Sequence, residues 1–571
     1  MWASKAIRQG VLPVGSAVGL AWFTDEFYGH RVMQRTLRAL GTGAMMIWEY
    51  KLRWTPETSS AVHARVARRL VACLKQNEGL YVKFGQALAS MDVILPEEYK
   101  TELRVLHDQA ATFPFRDVRR VVEAEMGRPL AEVFAEFEEE PVASASIAQV
   151  HRAKLRKQGS AAEGSSSEDD KLTVAVKVQK PNIPVQNGFD LAMYRLVLEV
   201  FDWAFEIPLA WTYGYTRKQL EAELDFRVEA ANARRCAREL EASPRLRGRV
   251  VVPRVHAELS GRRVLVMEWI DCIAPASDGP ALRRAGLEPA DVMLTATEVF
   301  GFQIFSTGHV HCDPHPGNLL VRRKPEGPAA AWQLVLLDHG LYCEMPEQLR
   351  RDYADFWVAT ALGNHEAMIR LCRGWGVTDP EASELLASLV QFRRVRISAS
   401  RWSAVAGLFG QQSPAAGPGA APPAAAQPRA KPTPKEMAEA QARLKARAQK
   451  VLGDTRAFPQ ELLFVGRNMN MIRSANFALG RVVNRVAILA ECAAEGSSVV
   501  GRPLAAGDRM ARWLALCRFH ATVRSFLALD QLFRLYSGVC LRLMQLKQSL
   551  GQAWMGCAPN FQRERLLASV A

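Results

Sequence analysis

Nowhere in its 571 residues does the sequence contain a Cys-x-x-Cys pair, although it has ten cysteines. Their scatter leaves neither zinc-ligand spacing nor a disulfide framework, so reduced thiols in a long chain are expected. Acidic side chains are missing from the first 24 residues, Asp25 being the first. The apolar run in that stretch, from Gly10 to Phe23, has 14 residues and includes Pro13 and three glycines. It is too short for the roughly 20 residues of a spanning helix. No fixed-period repeat is present, which excludes solenoid and propeller architectures.

Hydrophobic residues make up 49% and charged residues 23% of the chain, an ordinary balance that excludes wholesale disorder. The formal net charge is +14, which favours an anionic partner. This charge is concentrated at the ends. Residues 1–75 hold eleven Lys/Arg against four Asp/Glu, and residues 511–571 hold eight against two. Two basic, apolar ends around a balanced middle point to an anionic membrane lipid rather than nucleic acid, since no nucleic-acid module accompanies the charge. Arg512, Arg518, Arg524, Arg534 and Arg542 lie among Leu, Phe and Trp. They suit either an interfacial helix or a solvated face.

Low-complexity segments divide the chain at Gln158–Lys171 and Gln412–Lys435. Helical periodicity fills residues 60–126 and one long helix is expected over Thr216–Leu240. Short strands are expected at VHRAKL, LTVAVKVQ, VVVPRV and RRVLVMEWI, with LLVRR and WQLVLLDHG forming a hairpin. The expected organisation is a basic apolar targeting or membrane-associating segment over 1–59, a helical extension over 60–133 and a small lobe over 134–265. A large lobe over 266–405, a linker over 406–437 and a helical region over 438–571 follow. The fold class is α+β with two lobes.

The chemistry concentrates in four places. In His311-Cys312-Asp313-Pro314-His315-Pro316-Gly317-Asn318, an Asp is followed five residues later by an Asn, with His two before it. This is the spacing of a kinase catalytic loop, in which the Asp handles the acceptor proton and the Asn offers oxygen to a hard cation. A cluster of His309, His311, Cys312 and His315 could also be read as an N/S metal site, but Pro314 and Pro316 restrict its backbone. Asp338-His339-Gly340 ends a strand where a metal-binding Asp belongs. Val174-Ala175-Val176-Lys177 supplies a strand lysine for phosphates, and Glu221, Glu223, Asp225 and Glu229 are candidate partners for it. Together these predict an ATP–Mg2+ cleft.

At this point the residues resemble a known family, the UbiB/aarF-domain-containing atypical kinases. The segments that carry the resemblance are Lys83-Phe84-Gly85-Gln86, Ala143-Ser144-Ala145-Ser146 and Glu223-Leu224-Asp225, and it covers roughly residues 60–400. It implies a protein-kinase-like fold with Lys177 and Glu229 paired, Asp313 and His315 catalytic, and Asn318 and Asp338 on Mg2+. Ala143–Ser146, Met267, Glu268 and Ile270 would contact the nucleotide. Lys83, Gly85 and Gln86 would fold over the site, held by Glu223 and Asp225. The stretches ELDFRVEAANARRC and HVHCDPHPGNLLVRRK are similar to the mitochondrial branch around aarF-domain-containing kinase one and yeast Mcp-type proteins. That similarity implies inner-membrane association, with a plastid location as the alternative. The acceptor implied is a small molecule, a lipid or a quinone-pathway compound, and a catalytically weak pseudokinase scaffold is the competing reading. Cys312 stands where an Arg is usual and His315 where a Lys is usual, and the loop over residues 143–146 lacks glycine, so phosphate transfer is expected to be slow.

Overall fold

The computed structural model describes residues 31–497, except 90–95, 108–111, 157–171, 206–209, 211–212, 326–330, 363, 378–382, 384–385 and 387–458. It also describes Asp25 and Ala521. The expected enlarged loop, the linker and the basic C-terminal helices lie outside these residues.

Four helices open the described chain: α1 (Val32–Arg53), α2 (Ser59–Asn77), α3 (Gly79–Ala89) and α4 (Glu97–Leu103). Their apolar positions recur at helical spacing, so Val62, Val66 and Leu74 of α2 meet Ala39 and Met46 of α1 in one core. Then come α5 (Phe115–Met126) and the short α6 (Leu130–Val133), which precede an antiparallel sheet. The sheet contains β1 (Phe134–Phe137), β2 (Ala143–Ser144), β3 (Ala148–Leu155) and β4 (Thr173–Gln179), with β6 (Val264–Glu268) on its far side. Alternation along β4 divides its work. Val174, Val176 and Val178 bury one face against Val118, Val121 and Val122 of α5, so Lys177 must point the other way.

Three helices connect β4 to the next sheet: α7 (Ile183–Phe205), α8 (Tyr213–Glu223) and α9 (Phe226–Ala242). The single helix expected over Thr216–Leu240 is therefore two. The break falls at Leu224 and Asp225, where Asp225 adopts extended backbone and its side chain accepts the Arg227 N–H to cap α9. Strand β5 (Val250–Val251), within VVVPRV, joins the second sheet and not the first, pairing in parallel with β10 (Trp332–Leu336). That second sheet continues through β9 (Leu319–Arg323) to β7 (Ala274–Pro275), and β9 with β10 forms the expected hairpin. The lobe boundary expected at 265/266 falls inside β6.

The larger lobe is mostly helical. Its elements are α10 (Gly279–Arg284), α11 (Pro289–Phe302), α12 (Glu347–Ala361), α13 (His365–Gly374), α14 (Glu461–Ala478) and α15 (Arg485–Gly496). A two-stranded pair, β8 (His309–His311) with β11 (Tyr342–Glu344), lies beside the second sheet's hairpin in sequence and carries the HCD and DHG segments at its ends. Buried Phe305, Tyr353, Phe356 and Trp357 form the core beneath, joined by Val465 and Met469 of α14 and Leu489 of α15.

Candidate active site

Lys177 is the centre of the cleft. Its Nζ donates to Glu229 Oε1 at 2.7 Å and Oε2 at 2.9 Å, and to Asp338 Oδ2 at 3.3 Å. Glu229 reaches it because the Asp225 cap starts α9 one turn earlier and points that first turn at β4. Asp338 leaves the end of β10 and is fixed by the Gly340 N–H, which donates to Oδ1 at 2.9 Å. One ammonium thus faces two carboxylates. Burial pushes Glu229 up to about 7, only partly offset by Lys177. Burial opposes charge on Asp338 as well, but Lys177, Lys83 and the Gly340 N–H outweigh it and hold this carboxyl far below the usual range. Asp338, with the more exposed side chain, keeps its charge where a cation could reach it.

Asp313 follows β8. Its N–H donates to His311 Nδ1 at 3.0 Å, which makes that ring nitrogen an acceptor. Burial lowers the His311 pKa to about 4, so the imidazole is neutral. Asn318 donates from Nδ2 to the Asp313 carbonyl at 3.3 Å, and its own carbonyl accepts the Leu337 N–H at 3.0 Å. These bonds tie the HCD loop to the residue before Asp338. Two cations flank the Asp313 carboxylate: Arg467 at 2.9 Å from Oδ1 and Lys83 at 3.8 Å from Oδ2. Burial resists the charge, but Arg467, Lys83 and His315 outweigh it and pull the carboxyl down to about 2.

Lys83 enters from α3 and sits 3.3 Å from Glu223 Oε2. Burial opposes its charge, but Glu223, Asp313 and Asp338 overcome that and raise its pKa. The space left between these groups is about 30 Å3, lined among others by Lys83, Ala145, Ile147, Lys177, Glu223 and Asp338. That is room for roughly two waters.

Lys177, Glu229, Asp313, Asp338, Asn318, Lys83 and Glu223 thus come together, and several other expected residues do not join them. Gln86 turns away and donates to the Leu106 carbonyl at 3.0 Å, although its place three residues past Lys83 keeps it near the same helix face. Asp225 caps α9 and pairs with Arg227 instead of holding α3. His315 accepts its own loop's Gly317 N–H at 3.1 Å and is not among the residues lining the space. In the 143–146 loop, Ala143 and Ser144 pair with Val150 and Gln149 in β2–β3, and Ala145 alone reaches the lining. Ser146 Oγ is buried and has no hydrogen-bond partner among the described residues. Met267 packs with Ala175 and Leu265, and Glu268 accepts the Arg254 N–H at 3.1 Å. Ile270 is half-buried, its carbonyl 3.5 Å from Cys272 Sγ. None of these three lines the space around Lys177.

Gly85 lets α3 approach. A Cβ there would stand 2.3 Å from Leu106 Cδ1 and 2.7 Å from Leu74 Cδ1. Both leucines are buried in the helical core, so Gly85→Ala is expected to cost about 1–3 kcal/mol of stability by overpacking. Denaturant unfolding reads this directly.

Arg467 has no counterpart in the sequence reading. It comes from α14, which also donates from Asn468 Nδ2 to the His311 carbonyl, so this helix braces the HCD loop twice. No local pattern around FVGRNMN marks Arg467; only its distance in space from Asp313 does.

The donor set suits a hard cation held together with phosphates. Asn318 and Asp338 offer oxygen ligands, too few for an all-protein cage but suited to Mg2+ that keeps waters and substrate oxygens. The unpartnered Ser146 hydroxyl lies in the loop that follows the pattern of a phosphate cover.

Residues 105–372 match the model of the ABC1 atypical kinase-like domain. An ABC1 family protein of Schizosaccharomyces pombe is 32% identical over 499 residues, which is 86% of this chain and 83% of that protein. The ABC1 family protein lscO of Purpureocillium lilacinum is 34% identical, covering 83% of this chain and 79% of its own. AarF domain-containing protein kinase 1 of Mus musculus is 34% identical over 392 residues, covering 67% and 69% respectively. With Lys177, Glu229 and Asp338 converging in a two-lobed cleft and these relatives aligned over most of the chain, the protein belongs to the ABC1/AarF family of atypical kinase-like proteins.

Proposed function

We propose that this protein binds ATP with Mg2+ in the cleft and acts as an atypical kinase or ATPase serving organellar lipid or quinone homeostasis. The observation that carries the reading is the buried lysine shared by Glu229 and Asp338, residues 52 and 161 positions away in the chain. Lys177 binds the α- and β-phosphates, and Glu229 fixes its position. Asn318 and Asp338 hold Mg2+, which when bound neutralises phosphate charge. Asp313 accepts the proton of an acceptor hydroxyl, with Arg467 and Lys83 keeping it ionised. His315, which accepts the Gly317 N–H, stands near enough to Asp313 to favour its ionised form.

The acceptor is a small molecule or lipid. The α3 helix lies over the cleft with Lys83 between Glu223 and Asp313, and a helix in that place obstructs an extended polypeptide. We place the protein at the mitochondrial inner membrane, with plastid association as the alternative. Among the described residues no helix is long and apolar enough to cross a membrane.

Calorimetric titration of the purified full chain with ATP tests the reading. Binding is expected with Mg2+ present, to be lost on chelation, and to fall roughly thirtyfold or more in Lys177→Ala, since losing one partner of a buried charge pair in binding costs about 2–5 kcal/mol. Equal affinity in parent and variant defeats the proposal.

Lys83, seated between Glu223 and Asp313, favours a second reading. In it the protein is a membrane-bound pseudokinase scaffold whose nucleotide displaces Lys83 and changes shape without transfer. Cells then tolerate Asp313→Asn but not Lys177→Ala.

A further inference from the structure

Helix α1 and helix α7 lie side by side, and each buries one face in the same core through Ala39, Met46 and Met193. Their other faces are apolar and exposed. On α1, Leu37, Leu40, Met45, Trp48 and Leu52 recur at helical spacing along the outside, Leu52 being 69% exposed. On α7 the outward residues are Val185, Phe189, Leu196 and Trp203, the last 80% exposed. Single exposed apolar side chains are ordinary, but two parallel stripes on adjoining helices are not.

The charge around this layer is positive on balance at the α1 end. Glu49 is the sole acidic residue of α1 and is fully buried. Three guanidiniums share it: Arg65 at 3.0 Å, Arg53 at 3.6 Å and Arg69 at 3.7 Å. That leaves two positive charges in surplus at the end of α1 where Trp48, Leu52 and Trp54 are exposed. The Arg53 guanidinium also lies over the Trp48 ring, 4.6 Å from its centroid. On α7, Asp190 is buried against Arg35, and the outward Arg195 and Glu199 cancel as a 2.8 Å pair. Asp202, half-buried beside Trp203, accepts the Ala210 N–H at 3.1 Å and leaves α7 one negative charge, fewer than the two positive charges in surplus around Glu49.

We propose that the outer face of the α1–α7 layer is an interfacial docking surface for an anionic phospholipid bilayer. Apolar side chains enter the acyl boundary, the indoles of Trp48 and Trp203 take the headgroup level, and the arginines around Glu49 meet lipid phosphates. The helices lie on the membrane and do not span it. This rests on the proposed membrane-associated role and gives it a location. Because α1 packs on α2, and α2 on the α3 helix that carries Lys83, the docked face lies one helical layer from the cleft.

Vesicle flotation of the full chain tests it, using phosphatidylcholine alone and phosphatidylcholine doped with phosphatidylserine. The parent is expected to float with the anionic vesicles and to be released by high salt. Leu37→Glu with Trp203→Glu is expected to weaken flotation roughly tenfold or more, since several buried apolar groups carry such binding. Nucleotide binding in solution is expected to be unchanged in that variant. Lys177→Ala is expected to do the reverse, so failure of the docking surface and failure of the nucleotide reading give different patterns. Should the double variant misfold, photoactivatable phosphatidylserine on the parent chain decides instead: adducts on α1 and α7 support the proposal, adducts elsewhere overturn it. Unchanged flotation of the folded double variant also overturns it. So does a variant that only turns a dimer into a monomer in sedimentation, because the face would then belong to a second copy.

Discussion

Asp338→Asn is expected to abolish Mg2+-dependent nucleotide binding, with a loss of roughly a hundredfold or more. Even partners one step removed from a metal cost about 10–100-fold when mutated, and Asp338 is the candidate ligand itself. The substitution keeps shape: an Asn carbonyl can still accept the Gly340 N–H that now meets Oδ1 at 2.9 Å. What it removes is charge, and this carboxylate is held ionised by Lys177 and Lys83. Lys177 would retain Glu229 at 2.7 Å, so the buried ammonium stays paired and the fold should survive. Titration with ATP, with and without chelator, separates the outcomes. A variant that binds ATP as the parent does, and still needs Mg2+, would place the cation elsewhere.

Asp313→Asn is expected to leave nucleotide affinity within about threefold of the parent while lowering turnover by roughly 10²–10⁴, the usual share of a positioned base. Single-turnover hydrolysis with radiolabelled ATP measures the second quantity and equilibrium titration the first. The same variant should alter acid stability. The folded-state pKa of Asp313, about 2, lies below its ordinary 3.8. A depressed carboxyl stabilises the fold above the ordinary value, and that contribution disappears as pH falls through the folded value. The parent should therefore lose stability between about pH 4 and pH 2 more steeply than Asp313→Asn. Parallel acid-unfolding curves for the two would contradict the Arg467 and Lys83 pairing.

Much of this site was readable because kinase-like chemistry is written in short local patterns. The five-residue interval between Asp313 and Asn318 is fixed by one tight loop, where the Asn318 N–H bonds the His315 carbonyl and its side chain the Asp313 carbonyl. Alternation along β4 already put Lys177 opposite the valines. Reading Glu223-Leu224-Asp225 as a pair of anchors failed at Asp225, because an Asp ahead of an apolar helical run can equally cap a helix, and here it does. Gln86 failed similarly: three residues past Lys83 on a helix is close to the same face, but the Leu106 carbonyl offered it a partner inside the helical extension.

By itself the sequence determined the kinase-like family pattern, the two-lobed α+β fold and the strand that presents the lysine, since periodicity and motif spacing are properties of neighbouring residues. Tertiary structure alone decided who shares the charges. Arg467 reaches Asp313 across 154 residues, and Lys83 reaches Glu223 and Asp313 from a separate helical module. Ion pairs of that kind depend on how whole helices pack, and packing is set by cores such as Val465 and Met469 against Phe356, which leave no trace at the charged residues they bring together.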